Sequence, residues 1–550
     1  MTDGPGLQPP DPGLQASAGA VQVRVGPALA GPTRQVLRQL GQDAVAAKLA
    51  RADASLWGHD AQQEAAHRLG WLRLPTTSQA LLGPLEDAVA HLRHHQIDRV
   101  VLAGMGGSSL APEVICAATG TELVTVDTTD PGQVAAAMID LERTVLVVSS
   151  KSGSTLETDS HHRAFRAAFT AAGLEAARHI MVVTDPGSPL EMAATDHGVQ
   201  AVFRADPDVG GRYSALTAFG LVPSALTGVD VAALLTQAQD VSGSLAAEDG
   251  PALLLGAALG AAAVAGRDKL VLADATGRLP GFADWTEQLV AESTGKQGRG
   301  MLPVVVSGTD APGTAGPDRL PCLLGDADAP ADGIAVEGPL GALFLVWEYA
   351  TAVLGRLLQI DPFDQPNVQE SKDNTNALLR DAGDGALPRS EPAFVAGPVQ
   401  VFADPDLLAG ASTVTAAMTG LLRQVPAGGY LAVMAYLDRL RDTTARGLRD
   451  VLAHRTAAAV TFGWGPRFLH STGQYHKGGP ARGAYLQITA EPEQYLDIPG
   501  RPFDFGELQR AQALGDQQAL QGRGRPFLRL HLTDRAAGLE TVLHAAEGAG

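Results

Sequence analysis

The sequence predicts an α/β protein with parallel-sheet domains and added helices. Short apolar runs that alternate with helical stretches begin at Arg99, and continuous apolar runs are typical of strands buried on both faces of a parallel sheet. Two of these runs end in Gly/Ser-rich turns, at residues 104–112 and 149–158. A hydrophobic content of 45% over 550 residues provides a large core, which favours two or three packed units.

The N-terminal part divides into a tail, a helical lead-in and a first sheet. Residues 1–30 are rich in Pro and Gly and lack the basic start and apolar run of a signal peptide, so we expect a disordered tail without export. Residues 31–95 have the apolar spacing of amphipathic helices. We expect these helices to be the first part of a domain over residues 31–245. The predicted strands of this domain are RVVLAG (99–104), TELVTVD (121–127), TVLVVS (144–149), HIMVVTD (179–185) and VQAVFRAD (199–206).

A second domain with a C-terminal extension is predicted over residues 246–550. It opens with an apolar run at 251–266, which is shorter than the roughly 20 residues that span a bilayer and therefore predicts a buried helix. A strand follows at 269–275, and Gly/Pro/Asp stretches at 307–334 and 383–398 predict loops or boundaries. Two further predicted strands are AAAVTFGWG (457–465) and GAYLQITA (483–490).

Charge and cysteine content limit the partners. Lys and Arg number 41 against 60 Asp and Glu, and the net charge of -19 disfavours nucleic acid and anionic membranes. We therefore expect no nucleic-acid partner and no membrane partner. Cys116 and Cys322 are the two cysteines, so there is neither a disulfide framework nor a metal-ligand spacing, and a reducing cytoplasmic location fits.

The two Gly/Ser-rich turns are candidate phosphate sites. In the second turn, Ser154 and Glu157 have the spacing of a capping box, which leaves Ser150, Ser152 and Thr155 at the positive end of the next helix. The first turn would suit a nucleotide equally well, whereas the second lacks the spacing of a nucleoside-triphosphate loop, and no G-x-G-x-x-G with a distant acidic residue supports a dinucleotide site. A phosphate monoester is the favoured ligand, and a purely structural turn is the alternative.

Three later segments carry candidate catalytic side chains. Two glycines precede Arg212, whose guanidinium could stabilise an oxyanion or form a structural ion pair. Gln288 and Glu292 share one helix face, and a carboxylate near a helix C-terminus among apolar neighbours suits a general base, although periodicity alone favours a surface glutamate. Gln365 precedes a proline that favours a helix start, and Lys372 lies seven residues later on the same expected face.

Residues 465–480 hold two histidines in a Gly-rich setting, His470 and His476. A histidine in such a loop can exchange protons near neutral pH, although a single histidine is more often structural.

Taken in order, these segments resemble the phosphoglucose isomerase family, which is built from two sugar-isomerase domains of flavodoxin-like α/β type. The matching motifs are G-x-G-G-S at 104–108, S-K-[ST]-x-[ST]-T-x-E-T at 150–158, G-G-R-[FY]-S at 210–214, Q-x-x-x-E-S-x-G-K at 288–296 and D-Q-x-x-V-x-x-x-K at 364–372. The order and spacing are more specific than any single motif.

The resemblance implies a role for each matched residue. Glu292 would move the proton between C2 and C1, Arg212 would stabilise the enediolate, and Lys372 would assist ring opening. Gln288 and Gln365 would orient the substrate. The phosphate would be bound by Ser108, Ser150, Ser152 and Thr155, with the backbone at Gly107 and Lys151. No metal or cofactor is implied, since the proton stays with a side chain.

One departure concerns the histidine that opens the sugar ring. The family pattern places it between the Glu and Lys motifs, yet residues 297–371 contain no histidine. The segment GQYHKGG resembles a divergent branch that is sometimes fused behind a transaldolase, and this makes His476 the candidate and His470 the alternative. We expect the isomerase alone, as a homodimer in which His476 could act on the neighbour's substrate.

The predicted activity is reversible conversion of glucose 6-phosphate to fructose 6-phosphate through a cis-enediolate. The alternatives are a non-catalytic phosphosugar-binding regulator, and an isomerase that also acts on mannose 6-phosphate. The regulator would have no need of Glu292 and Lys372.

Overall fold

The computed structural model describes residues 13–383, 387 and 390–550. Its strands are β1 Leu14–Ala18, β2 Val21–Val25, β3 Arg99–Gly104, β4 Val124–Val126, β5 Thr144–Ser149, β6 Ile180–Thr184, β7 Ala201–Arg204, β8 Lys269–Asp274, β9 Leu302–Val305, β10 Arg319–Leu324, β11 Ile334–Glu337, β12 Phe394–Ala396, β13 Val399–Ala403, β14 Tyr430–Tyr436, β15 Ala459–Trp464, β16 Gly483–Ala490 and β17 Phe527–Leu532. Its α-helices are α1 Pro27–Gln42, α2 Val45–Ala50, α3 His59–Ala66, α4 Leu74–Thr77, α5 Leu82–His94, α6 Leu110–Thr119, α7 Pro131–Ala137, α8 Leu156–Ala171, α9 Pro189–Asp196, α10 Ala218–Leu226, α11 Val231–Ser242, α12 Pro251–Val264, α13 Phe282–Thr294, α14 Leu340–Leu358, α15 Val368–Ala382, α16 Pro405–Leu408, α17 Val414–Arg423, α18 Leu448–Ala453, α19 Gly473–Gly478, α20 Phe505–Gln521 and α21 Arg535–Gly548.

The first sheet contains the five strands predicted between residues 99 and 206, and the parallel α/β prediction is confirmed. Its order is β4-β3-β5-β6-β7, and every neighbouring pair is parallel. Gly104 of β3 pairs with Ser149 of β5, so the two Gly/Ser-rich turns leave the sheet side by side. The carboxyl edge of a parallel sheet is where α/β proteins bind their ligands.

The second sheet corrects the prediction of a disordered tail over residues 1–30. Its order is β1-β2-β11-β10-β8-β9, with β8 to β11 parallel and the hairpin β1–β2 added antiparallel at one edge. Val21, Val23 and Val25 alternate with polar residues and are buried, so the hairpin covers the edge with an apolar face. Residues 14–30 are therefore ordered, while residues 1–12 lie outside the described part of the chain.

The third sheet is formed by the C-terminal part of the chain, with order β12-β13-β17-β16-β14-β15. β14 to β17 are parallel to one another, whereas β13 pairs antiparallel with both β17 and β12. The extension predicted for the second domain thus forms a complete α/β layer, so residues 246–550 contain two sheets. The predicted boundary near residue 245 stays a prediction.

Two apolar helices fill the centre of the largest core cluster. α12 is buried over most of its length, as predicted, and packs against α14. By length and composition α14 could cross a membrane, and α11 with α12 could do so as one bent pair, but 83% of the apolar window of α14 is buried among other parts of the protein. Such burial is typical of a core helix.

The three sheets meet around a common centre. Val271 and Val304 of the second sheet share a cluster with Tyr430 and Met434 of the third sheet. α15 and α20 pack together, and Phe505 of α20 joins the core on one face of the first sheet. Residues from all three sheets can therefore reach the turns that follow β3 and β5.

Candidate active site

A cavity of about 560 Å³ lies beside the turn that follows β5. α15 and the segment around residue 470 form its other walls, and we call it the central cavity. The polar side chains in its lining include Ser152, Thr155, Glu157, Lys372 and His470.

The turn at residues 150–155 gathers hydroxyl groups at the start of α8, as predicted. The Ser150 and Thr155 hydroxyl oxygens lie 3.1 Å apart, and those of Ser152 and Ser154 lie 3.0 Å apart. The Gly153 amide donates to the Ser150 hydroxyl oxygen over 3.2 Å. Hydroxyls and amides at a helix N-terminus can donate to an oxyanion, so we call residues 150–155 the phosphate cradle.

Lys151 turns its side chain away from the cradle. Its ammonium nitrogen lies 2.6 Å from a carboxylate oxygen of Asp185. Only the main chain of Lys151 is therefore available to a phosphate, in agreement with the backbone role that the family resemblance implies.

The capping box predicted for Ser154 and Glu157 is wrong. α8 begins at Leu156, with Thr155 in the cap position and no side-chain hydrogen bond to the helix amides. Glu157 instead points across to His470, with Oε1 2.9 Å from Nε2. A hydrogen-bond partner from a distant part of the chain thus replaces the local backbone amide.

The turn at residues 104–108 is packed against the turn that precedes Arg212 and against Gln288. A Cβ added to Gly107 would lie 1.9 Å from the Gly211 carbonyl oxygen, so only glycine lets these two turns meet. Gly106 has a φ of +56°, and a Cβ there would lie 2.8 Å from the Gln288 side-chain nitrogen. Ser108 is buried at the end of this turn, and Gly107, Ser108 and Ser150 do not line the central cavity.

Arg212 is surrounded by hydrogen-bond acceptors. Its Nη1 lies 2.9 Å from Glu292 Oε1 and donates to Gln365 Oε1 over 2.9 Å. Its Nε donates to the Ser293 hydroxyl, and its Nη2 donates to two backbone carbonyls in the 362–364 segment. The side chain is only 2% exposed. The guanidinium therefore fixes the positions of two predicted site residues, Glu292 and Gln365.

Gln288 joins this cluster to the central cavity. Its side-chain nitrogen donates to Glu292 Oε2 over 3.1 Å and to the His470 carbonyl oxygen over 2.8 Å. Both Gln288 and Glu292 lie on α13, which ends at Thr294 with Gly295 as its cap, as predicted. The four-residue spacing predicted this shared face correctly, whereas the contact with His470 depends on the third sheet.

Gln365 and Lys372 do not share a helix face, contrary to the prediction. α15 begins at Val368, so Gln365 lies in the segment before it. The short segment is held by Arg212 and by Lys296, whose Nζ lies 2.6 Å from Asp364 Oδ1. Burial, followed by the charge of Arg212, lowers the pKa of Lys296 to about 8. Lys372 is exposed and lines the central cavity.

His470 and Glu157 form a buried pair at the wall of the central cavity. Burial alone would raise the pKa of Glu157, but the charge and hydrogen bond of His470 hold it at about 2. The amide nitrogen of Gln512 donates to the same Glu157 oxygen over 2.7 Å, and its carbonyl oxygen accepts from the Thr129 hydroxyl over 2.7 Å. Glu157 and Gln512 were not predicted as functional residues. Glu157 stands inside the matched motif, whereas no local pattern marks Gln512.

His476 lies in an aromatic cluster rather than at the central cavity. Its Nδ1 is 3.0 Å from the Tyr430 hydroxyl, and its ring packs against Tyr430, Tyr485 and Phe468. Burial, followed by the charge of Lys477, lowers the pKa of His476 to about 3. A neutral imidazole enclosed by aromatic rings is poorly suited to exchange protons with a bound sugar.

The fold and this arrangement of side chains resemble those expected of an α/β phosphosugar isomerase, and the comparisons with known proteins support that class. Residues 90–304 match the family model described as Phosphoglucose isomerase. A probable glucose-6-phosphate isomerase from Haloarcula marismortui is 29% identical over 54% of this chain and 81% of its own length. A glucose-6-phosphate isomerase from Thermosynechococcus vestitus is 34% identical over 41% of this chain and 49% of its own length.

Solved structures give the same assignment of the fold. A hypothetical protein from Thermus thermophilus superposes with a TM-score of 0.55 at 25% identity, over 66% of this chain and 100% of that protein. A glucose-6-phosphate isomerase from Chlamydia trachomatis superposes with a TM-score of 0.51 at 20% identity, over 66% of this chain and 89% of that protein. These comparisons support the assignment of residues 90–304 to the phosphoglucose isomerase family.

Proposed function

We propose that this protein interconverts glucose 6-phosphate and fructose 6-phosphate as an aldose–ketose isomerase. The observation that carries the proposal is that Gln288 bonds both the Glu292 carboxylate and the main-chain carbonyl of His470, which brings the segments of these two residues together. Glu292 is held by Arg212, and His470 lines a cavity that also contains the phosphate cradle.

Substrate binding begins at the phosphate cradle in this proposal. Ser152 and Thr155 line the central cavity, and the Ser150 hydroxyl contacts the Thr155 hydroxyl. Lys372 supplies a positive charge in the same cavity, which the net charge of -19 makes valuable for an anionic substrate. The cavity volume of about 560 Å³ is in the range of small-molecule sites.

Ring opening is assigned to His470 rather than to His476. Opening the ring breaks the bond between C1 and the ring oxygen, delivers a proton to that oxygen and removes one from the C1 hydroxyl. His470 lies at the cavity wall with Glu157 orienting its ring through Nε2, which suits a general acid for the ring oxygen. Once His470 has given its proton to the ring oxygen, its imidazole takes the proton of the C1 hydroxyl, so the step balances on one side chain. Lys372 stabilises the C1 oxygen as that proton leaves. Because His470 belongs to the same chain as the cradle, ring opening needs no residue from a second subunit.

Proton transfer from C2 to C1 is assigned to Glu292. In the free protein the donor atoms of Arg212 all face protein acceptors, and one of these acceptors is Glu292 itself. When Glu292 takes the C2 proton it becomes neutral, so its attraction to Arg212 weakens. The guanidinium charge is then released toward the enediolate that forms at the same moment. Returning the proton to C1 restores the ion pair.

The base assignment is tested with Glu292→Gln, which keeps the size and one oxygen acceptor for Arg212. We expect a loss of turnover of about 10² to 10⁴, the usual contribution of general acid–base catalysis. Glu175→Gln is the control, because Glu175 forms an exposed ion pair with Arg178 on the same domain. Turnover near the wild-type value in a folded Glu292→Gln protein would remove the assignment.

The histidine assignment is tested by comparing His470→Ala with His476→Phe in a coupled assay of fructose 6-phosphate conversion. We expect the first variant to lose about 10²-fold or more in turnover and the second to keep it, since phenylalanine fits the aromatic cluster. The reverse result would return ring opening to His476.

A purely phosphosugar-binding regulator is disfavoured by the same contacts. Such a protein needs the cradle, whereas the ion pairs of Glu292 with Arg212 and of Glu157 with His470 serve proton transfer. Activity toward mannose 6-phosphate is measured by running both aldose phosphates in the same assay.

A cytoplasmic location and a homodimer are proposed on the family resemblance. Light scattering of the purified chain measures the oligomeric state directly, and a monomer with full turnover would remove the dimer from the proposal.

A further inference from the structure

The third sheet carries a second cavity, of about 100 Å³, on its face toward α20. Gln400, His531, Thr489 and Tyr436 lie in one row across four neighbouring strands, because each pairs with the next in the sheet register. All four line the cavity together with Arg529. The opposite face of these strands is an apolar core. A polar row across one face of a sheet is unusual where that face is covered by a helix.

Three hydrogen-bond donors at this cavity have no partner among the described residues. They are the Tyr436 hydroxyl, the Gln509 side-chain nitrogen and Arg529 Nε. The exposed fractions of these residues are 1% for Tyr436, 6% for Gln509 and 7% for Arg529, so bulk water does not solvate them freely. Buried polar groups in proteins nearly always have a partner, and three unpaired donors on one cavity indicate that an acceptor is missing.

Arg529 places a positive charge at this cavity that no carboxylate of the described residues pairs with. Arg529 makes no ion pair within the described part of the chain, and its guanidinium carbon lies 3.8 Å from the centre of the Phe402 ring. Burial, followed by the charge of Arg510, lowers the pKa of Arg529 to about 10. Glu491 also lines the cavity, but its side chain is half-exposed and binds His531 over 3.3 Å. The face of the Phe402 ring attracts the Arg529 cation, but it does not accept hydrogen bonds from the N–H groups that lie in the plane of the guanidinium.

We propose that this cavity binds a small oxyanion, the phosphate or carboxylate group of a metabolite, between Arg529, Gln509 and Tyr436. An oxyanion supplies acceptors only, which matches a set of unpaired donors, and it neutralises the buried guanidinium. Ordered water could satisfy the donors but would leave the charge of Arg529 uncompensated. The volume is about three times the space of one water molecule, roughly 30 Å³, and suits a single oxyanion group.

The anion site is connected to the central cavity by α20. Gln509 faces the anion site, and three residues later Gln512 donates to Glu157 of the catalytic pair. Asp516, one turn further, binds Lys477 and the Ser371 hydroxyl on α15. A ligand held by Gln509 therefore contacts the helix that positions Glu157.

The test is calorimetric titration of the full chain with inorganic phosphate, and in parallel with acetate. Because the phosphate cradle also binds phosphate, three proteins are compared: wild type, Arg529→Met and a cradle double variant, Ser152→Ala with Thr155→Ala. We expect two phosphate sites in the wild type and one in each variant, and none when all three substitutions are combined. Acetate binding that Arg529→Met removes would assign the site to carboxylates, and phosphate binding alone would assign it to phosphates.

Two results would overturn the proposal. One is a cradle double variant that binds neither anion, which means that the second cavity holds water only. The other is an Arg529→Met protein that keeps both phosphate sites. If Arg529→Met fails to fold, Tyr436→Phe removes a single O–H group from the same cavity, and we expect it to weaken anion binding about ten-fold. Unchanged affinity in Tyr436→Phe would equally contradict the site. Isomerase activity takes no part in these readouts, so they are independent of the proposed function.

Discussion

Replacing Glu157 with glutamine tests the pair that we assign to ring opening. The substitution keeps the shape of the side chain and removes its negative charge beside His470. In the folded protein the pKa of Glu157 is about 2, against an ordinary value of 4.5. At about 1.4 kcal/mol for each pKa unit, the difference corresponds to roughly 3 kcal/mol of unfolding free energy at neutral pH.

The sign of this contribution fixes its pH range. Since the folded pKa lies below the unfolded one, the stabilisation is complete above pH 4.5 and is lost as the pH falls toward about 2. Urea unfolding at pH 7 should therefore separate wild type from Glu157→Gln by about 3 kcal/mol, and the separation should shrink steadily below pH 4.5.

The same variant should turn over more slowly with cyclic substrate. If the whole interaction serves to orient His470, about 3 kcal/mol corresponds to a rate loss of about 10²-fold. An acyclic phosphosugar analogue has no ring to open, and its isomerisation should be nearly unaffected. Glu175→Gln is again the control, because its ion pair is 63% exposed on both side chains and contributes little. Equal stability of Glu157→Gln and wild type at pH 7, or equal losses with cyclic and acyclic substrates, would refute the reasoning.

Three further predictions concern residues that support the site. Asp516→Asn leaves the ammonium of Lys477 buried without its carboxylate partner, which lies 2.7 Å away in the wild type. We expect urea unfolding to show that the free energy of unfolding falls by about 3–5 kcal/mol. The apolar double variant Lys477→Met with Asp516→Leu should recover most of this stability. Gly107→Ala puts a Cβ 1.9 Å from the Gly211 carbonyl oxygen and should displace the turn that carries the Arg212 guanidinium, so we expect turnover to fall by about 10²-fold. Gly211→Ala meets no atom within 4 Å and should retain activity. Gln512→Leu removes the amide that donates to Glu157. Thermal unfolding should show a loss of about 1–3 kcal/mol of stability, and the acid limb of the pH–rate profile should shift. An unchanged profile would mean that Gln512 is only structural.

The first sheet could be predicted from the sequence because each of its strands is buried on both faces. Runs such as RVVLAG and TVLVVS are apolar throughout and carry their own signal. β10 was missed within the predicted loop 307–334, because its strand RLPCLL contains a proline and follows a stretch rich in Gly, Pro and Asp. The N-terminal hairpin was missed for a similar reason. Its short alternating strands stand among Pro and Gly residues, and they are stable only because β11 offers an edge to pair with.

The site residues divide in the same way. Arg212, Gln288 and Glu292 were predictable from local motifs, and they form one hydrogen-bonded cluster. The choice between His470 and His476 was not predictable, because the two lie six residues apart in a similar Gly-rich setting. Tertiary contacts distinguish them: His470 bonds Glu157, which lies far away in the sequence, and His476 is enclosed by tyrosines.

The three-sheet construction of the site has a consequence for how the enzyme is made. The phosphate cradle leaves the ribosome early, and Glu292 follows after about half of the chain. His470, which completes the pair with Glu157 that we assign to ring opening, and Gln512, which donates to Glu157, are synthesised long after both. On that assignment, a nascent chain that has folded its first two sheets holds a nearly finished pocket that cannot act on cyclic sugar. Activity should appear only near the end of translation, in a single step.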